Sequence, residues 1–203
     1  HFVFQNQGYI VMELKHMDLF SRCATFSSIE EVKHIFRQIC IGTKELHQKQ
    51  ISHLDLKMEN ILLDTKDTVS ICDFGTSYHW TQSDRFDRLV GSEFYLAPEL
   101  FVHDLGYSSV QADIWSLGIL LSVLITGRYP YDGESDEEIY ENYFCANVSL
   151  KEIEIFLPGD TECLDLLSKM LSKRPEDRLC LEKIISHPWL TEIQNETEIV
   201  ISR

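Results

Sequence analysis

The chain has 203 residues, enough for one domain with a sizeable core, and its 44% hydrophobic and 25% charged residues are the balance of an ordinary globular protein. Eighteen Lys and Arg against 33 Asp and Glu leave a net charge of −15. That argues against nucleic acid or a membrane surface as partner, because phosphate binding needs basic surface, while it is compatible with basic peptides.

The six cysteines (Cys23, Cys40, Cys72, Cys145, Cys163 and Cys180) are scattered, with no C-x-x-C pair and no His at metal-ligand spacing. They read as reduced thiols of an intracellular protein, cytoplasmic or nuclear, rather than a disulfide scaffold or zinc site. The chain opens on His1, without a signal-peptide pattern, and reads as a piece of a longer protein. Residues 1–14 alternate apolar and polar around Gln5-Asn6-Gln7-Gly8, which predicts a hairpin of strands 2–4 and 9–12. Ser27-Ser28-Ile29-Glu30 fits a capping box and opens a helix through residue 48, with Val32, Ile35, Phe36, Ile39 and Leu46 near helical spacing. Residues 61–63 and 69–71 are short strand candidates around a turn at 64–67.

The polar stretch 76–93 has neither period and is too long for a connector, so it reads as a functional loop. A helix over 110–126 ends at Gly127. Its apolar run, 114–125, is too short to cross a bilayer and reads as buried. Further helices are expected over 136–144, 160–171 and 181–186, with His187-Pro188-Trp189 stopping the last and a fraying polar tail after Thr191.

Three motifs stand in order on this frame. His53-Leu54-Asp55-Leu56-Lys57-Met58-Glu59-Asn60 fits H-x-D-L-x-x-x-N; Asp73-Phe74-Gly75 and Ala97-Pro98-Glu99 follow. Each is weak alone, and together they are specific. On these residues the chain resembles the large, C-terminal lobe of a eukaryotic-type protein kinase over residues 2–190. The resemblance implies an α+β, kinase-like fold. Residues 1–14 would be a remnant small-lobe hairpin and hinge, 15–190 the mainly helical lobe, and 191–203 a polar tail.

It further implies transfer of the ATP γ-phosphoryl group to Ser or Thr hydroxyls of protein substrates, with Mg²⁺. Such chemistry needs positioning and charge neutralisation more than covalent steps. Asp55 would orient the acceptor hydroxyl and take its proton. Lys57, two residues on, would meet the γ-phosphate and looks like the serine/threonine branch. Asn60 and Asp73 would offer hard oxygen ligands to Mg²⁺. Ser92, where Thr is usual, would bond Asp55 and Lys57. Glu99 would pair with Arg178, and Asp113 would cap the catalytic loop. Met12-Glu13-Leu14-Lys15 matches the hinge: Met12 guards the inner pocket, while Glu13 and Lys15 hold adenine through main-chain groups. Asp18 would contact ribose or substrate, or cap a helix. Leu62 would floor the adenine pocket, and Cys72 would be either a reactive thiol at the nucleotide site or inert packing.

The departures carry their own expectations. No G-x-G-x-x-G occurs, and 12 residues precede Glu13, so the chain alone is expected to be weakly active or inactive. Leu54 replaces the Arg that usually receives a loop phosphate, which leaves open whether phosphorylation at Thr81 or Ser83 matters. His-Leu-Asp also occurs in kinases resembling the myosin light chain kinases. With Tyr129-Pro130-Tyr131-Asp132-Gly133 and His187-Pro188-Trp189-Leu190, it looks like the calmodulin-dependent or AMP-activated group. Met58 replaces Pro, and Glu93-Phe94 replaces Pro-Glu. Glu59, Asp18 and the acidic run Glu134, Asp136, Glu137, Glu138 and Glu141 suit basic residues near the acceptor. The alternative reading is a kinase-like binding module without catalysis.

Overall fold

A computed structural model describes residues 11–81, 88–101 and 107–191 in full, and the backbone of 2–4 and 7–9. Strand β1 (Phe2–Phe4) pairs antiparallel with β2 (Gln7–Tyr9), Phe2 opposite Tyr9 and Phe4 opposite Gln7. The hairpin forms, but Gln7 and Gly8 join the ladder and Val11 and Met12 do not extend it. Gln5, Asn6 and Ile10 of that expectation lie outside the described residues. Strand β3 (Met17–Asp18) leads directly into α1 (Leu19–Cys23), which Asp18 caps by accepting the Ser21 N–H at 2.7 Å.

Helix α2 (Ile29–Gln48) starts one residue later than its sequence signature suggested. Ser28 is the N-cap and accepts from Glu31 N, while the Glu31 carboxylate reaches back to Ser27 N at 3.1 Å and Ser27 Oγ at 3.0 Å. Two adjacent serines made either register chemically possible; the apolar stripe Val32, Ile35, Phe36 and Ile39, buried against the core, accompanies the later one.

Beyond α2, β4 (Ile51–Ser52) leads to the catalytic loop, β5 (Ile61–Leu63) and β6 (Val69–Ile71). Strands β3, β5 and β6 form one antiparallel sheet in the order β3-β5-β6. Asp64 Oδ1 tightens the β5–β6 turn by accepting Lys66 N at 2.8 Å and Thr68 N at 2.9 Å, and those donors hold its carboxyl below the usual range. Strand β7 (Tyr78–His79) pairs back to β4 within the stretch expected to have no period. Two residues are too few to show one.

The lobe is organised around α3 (Ser109–Thr126), capped by Ser108 and closed by Gly127 at φ 73°. Every residue from 112 to 126 is buried. At 18 residues and mean hydropathy 1.5 the helix that contains the apolar run is long and apolar enough to cross a membrane, yet 89% of it lies inside the fold, as expected of a buried helix. Helices α2, α5 (Lys151–Phe156) and α6 (Thr161–Met170) pack against it. Helix α4 (Asp136–Phe144) carries the acidic first turn, and α7 (Leu181–Ile185) ends where His187-Pro188 begins the short α8 (Pro188–Thr191). Helices α1, α5 and α8 escaped sequence reasoning because four to six residues barely complete one turn. The result is an α+β, mainly helical protein with short strands beside α2.

Candidate active site

The catalytic loop, residues 53–60, runs from β4 to β5 and ends in a 3-10 turn, Met58–Asn60. It is held by a buried carboxylate on α3. Asp113 Oδ2 accepts His53 N at 2.9 Å and Oδ1 accepts Leu54 N at 2.8 Å; His47 Nε2 donates to Oδ2 at 2.8 Å. Those bonds fix Leu54 in left-handed backbone, φ 65°, and its side chain points into the core. Here an Arg-to-Leu departure becomes a packing residue.

His53 ties this loop to the Asp73 loop. Its Nδ1 accepts Asp55 N at 3.3 Å, so Nε2 carries the proton and donates to Cys72 O at 2.9 Å. Thr76 Oγ1 donates to His53 O at 3.1 Å, and the His53 ring lies 5.2 Å from that of Phe74. The β5–β6 register sets Ile61 opposite Ile71, and Cys72 N donates to Asn60 O at 2.9 Å, so Asn60 and Asp73 come from adjoining strand ends. Asp73 is itself left-handed at φ 61°, with Oδ1 accepting Gly75 N at 3.2 Å. The carboxylate is exposed.

Asp55, Lys57, Asn60 and Ser92 converge. Asn60 Nδ2 donates to Asp55 O at 2.8 Å and to Asp55 Oδ2 at 3.1 Å; Lys57 Nζ lies 3.4 Å from the same carboxylate oxygen. Lys57 Nζ also donates to Ser92 Oγ at 2.6 Å. Asp55 Oδ1 is buried and has no partner. The expected bond from Ser92 to Asp55 is not made: the Ser92 hydroxyl oxygen accepts from Lys57, and Asp55 Oδ1 keeps one free acceptor. Ser92 reaches this position because Gly91 lets its segment touch the loop. Gly91 has φ 116°, and a Cβ there would stand 2.6 Å from Leu54 O and 2.8 Å from Leu96 Cδ2.

The hinge candidates are placed differently. Met12 is 71% exposed, and Glu13 pairs only with Lys15 at 3.0 Å among described contacts. No described hydrogen bond or ion pair joins Met12, Glu13 or Lys15 to the catalytic cluster. His16 N donates to Leu63 O at 2.8 Å and so docks this approach onto β5. Asp18 is committed to capping α1, and it stands opposite Leu62 on β5. Leu62 is half-buried between the buried Ile61 and Leu63, so it lies on the open face of the sheet. Cys72 is half-buried; burial, then the neighbouring Asp73, push its thiol pKa up, which disfavours the reactive thiolate and fits packing.

Beneath the site, Arg178 binds Glu99 with both ends of its guanidinium, at 2.6 and 2.7 Å. It also donates to Ser172 O at 2.9 Å and Gln111 O at 2.8 Å and lies over the Trp115 ring at 5.0 Å. Four hydrogen bonds to fixed acceptors and the ring beneath it hold this fully buried cation, the condition under which a buried charge holds geometry. Phe94, the Pro-Glu departure, takes φ 64° and packs its ring 5.0 Å from Tyr129 and 5.1 Å from Tyr143. Thr81 is exposed, and Ser83 lies outside the described residues.

Sequence reasoning missed His47, Thr76 and Gly91. His47 and Thr76 act through partners distant in sequence and carry no local signal. Gly91 could have been suspected as the one glycine of the stretch 76–93, next to Ser92.

The arrangement offers a carboxylate acceptor, a cation beside it and two hard oxygen ligands. The chain matches the family model described as protein kinase domain over residues 2–190. It is similar to serine/threonine-protein kinase 17A of Oryctolagus cuniculus, 36% identical over 166 residues, covering 80% of this chain and 41% of that protein. It is similar to probable serine/threonine-protein kinase MARK-A of Dictyostelium discoideum, 34% identical over 172 residues, 85% of this chain and 15% of that protein. It is also similar to death-associated protein kinase 2 of Homo sapiens, 30% identical over 210 residues, 98% of this chain and 56% of that protein. The chain thus spans 41%, 15% and 56% of the length of these three relatives, less than two thirds of each.

Proposed function

Because the chain belongs to the protein kinase domain family, we propose that it carries the catalytic residues of a serine/threonine protein kinase, acting on Ser and Thr hydroxyls of protein substrates with ATP and Mg²⁺. One observation carries the reading. Asp55 Oδ1 is buried without a partner while Oδ2 is held by Asn60 and Lys57. Leaving a buried acceptor unmade costs about 1–3 kcal/mol, and a substrate hydroxyl donating to that oxygen offsets it. The same hydrogen bond aims the hydroxyl oxygen and gives its proton a base.

The residues present fit the metal and nucleotide. Asn60 has its Nδ2 committed to Asp55, which leaves Oδ1 as its free oxygen, and the Asp73 carboxylate is exposed beside it in the fold; hard oxygens of this kind suit Mg²⁺. When bound, Mg·ATP supplies the phosphoryl group and neutralises its oxygens. Lys57 holds Ser92 and Asp55 in one geometry. Leu62 would support adenine, with the main chain of Glu13 and Lys15 and the side chain of Met12 at its edge; Cys72 would pack nearby. The second oxygen of Asp18 remains for ribose or substrate after helix capping. The exposed Glu59 and the acidic first turn of α4, Asp136, Glu137 and Glu138, favour substrates with basic residues near the acceptor. The six unpaired cysteines support a site of action inside the cell.

In the protein as its transcript encodes it, Asp55→Asn and Asp73→Asn should each lower phosphate transfer to a Ser/Thr peptide by about 10²–10⁴-fold. Undiminished turnover in either variant would sink the assignment. If the protein also gives no Mg·ATP-dependent thermal shift, the kinase-like binding module replaces it.

A further inference from the structure

Two positions of positive φ bracket the segment that carries Ser92: Gly91 at 116° and Phe94 at 64°. Tyr95 N donates to Ser92 O at 3.1 Å and closes the turn between them. Glycine takes such backbone freely and a bulky residue does not, so Phe94 stays there only because its surroundings hold it. Its ring lies 5.0 Å from that of Tyr129, 5.3 Å from that of Tyr140 and 5.1 Å from that of Tyr143. At these separations aromatic pairs attract beyond their buried area. The main chain is pinned as well: Tyr131 OH donates to Phe94 O at 3.3 Å, and Ser116 Oγ of α3 donates to Tyr95 O at 2.9 Å.

What this turn presents is the Ser92 hydroxyl. Lys57 Nζ donates to it at 2.6 Å and lies 3.4 Å from Asp55 Oδ2. A lysine is a compact charge on a flexible four-carbon stem, and alone it has no fixed place. The serine oxygen supplies the second point that keeps it against Asp55. Moving the turn by about 1 Å would stretch that short bond past hydrogen-bond length. Tyr140 and Tyr143 belong to α4, so a helix far along the chain reaches the catalytic loop through a single ring.

We infer that Phe94 is a positioning residue for phosphate transfer: its ring, boxed by Tyr129, Tyr140 and Tyr143, keeps the turn at 92–95 where Ser92 holds Lys57 against Asp55. The inference rests on the kinase reading for what is positioned, and the geometry stands without it. Phe94 then matters only while residue 92 carries its hydroxyl.

The test is a double-mutant cycle in the protein as its transcript encodes it, read as phosphate transfer to a Ser/Thr peptide. Phe94→Leu keeps a bulky side chain and removes the ring. It should lower kcat about tenfold with KM unchanged, a coupling of the size found within one contact network. In a Ser92→Ala background the same substitution should change kcat by less than about twofold. Phe94→Tyr, which restores the ring, should restore kcat. An equal loss in both backgrounds, the mark of a merely structural role, or a loss confined to KM, the mark of a substrate contact, would overturn the inference. Should Phe94→Leu fail to fold, Tyr131→Phe removes only the hydroxyl on the Phe94 carbonyl and should show the same dependence on Ser92. If the parent transfers no phosphate, the kinase reading fails and the positioning is read by NMR on the ¹⁵N-labelled Lys57 ammonium, assigned with Lys57→Arg. That resonance should move in Ser92→Ala and in Phe94→Leu and stay in place in Phe94→Tyr. A signal absent from the parent, or unmoved by Phe94→Leu, would sink the inference by itself.

Discussion

Left-handed backbone at non-glycine residues is uncommon, and two cases, Leu54 and Asp73, lie in the candidate site. Each is offset locally: Asp113 accepts the Leu54 N–H, and Gly75 N donates to Asp73 itself. The strain aims Asp55 and the Asp73 carboxylate, so the surrounding bonds matter more than the residues' own preferences. Gly91 is the third special position, and it separates two kinds of glycine requirement. Gly127, at φ 73°, has open space around a would-be Cβ; Gly91, at φ 116°, has Leu54 O at 2.6 Å. Gly127→Ala should therefore cost only its backbone preference, about 1 kcal/mol, whereas Gly91→Ala should cost about 1–3 kcal/mol and displace Ser92 from Lys57. Urea midpoints of the two variants compare them, and equal losses would contradict the close approach at Gly91.

At the scale of elements, short strands and short helices are joined by polar contacts that propensity does not foresee. Arg22 of α1 donates to Asp67 of the β5–β6 turn at 2.9 and 3.1 Å, and Gln38 of α2 brackets the same turn, donating to Asp67 O and accepting Val69 N. The Arg22 hydrogen bond holds the Asp67 carboxyl below its ordinary 3.8. A depressed carboxylate contributes stability that is present above the unfolded value and lost as pH falls through the folded one. Asp67→Asn, which keeps a residue tolerant of the φ 58° found there, should be less stable than the parent at about pH 7, and the gap should narrow as pH falls below the ordinary 3.8. A gap that stays constant across that range, measured by urea denaturation, would show that the ion pair does not supply it.

For the molecule as a whole, α3 is the axle: it carries Asp113 towards the catalytic loop, Gln111 and Trp115 towards Arg178, and its apolar faces towards α2, α5 and α6. Its one internal glycine admits the close approach of α6. A Cβ on Gly118 would meet Leu171 Cδ2 at 2.8 Å and Met170 Cβ at 3.2 Å. Gly118→Val should thus destabilise by about 1–3 kcal/mol through overpacking; a calorimetric transition at the parental temperature would argue that α6 yields freely. The sequence by itself determined the loop residues Asp55, Lys57, Asn60 and Asp73, the Gly127 stop and the long helices, because those signals are complete within eight to twenty consecutive residues. Even the Glu99–Arg178 pair was legible, through motifs at both of its ends. Only the tertiary structure decided that Ser92 serves Lys57 and not Asp55, and that His47 backs Asp113. These depend on which groups meet after the chain has closed loops of tens of residues, and local propensity has no information about that choice.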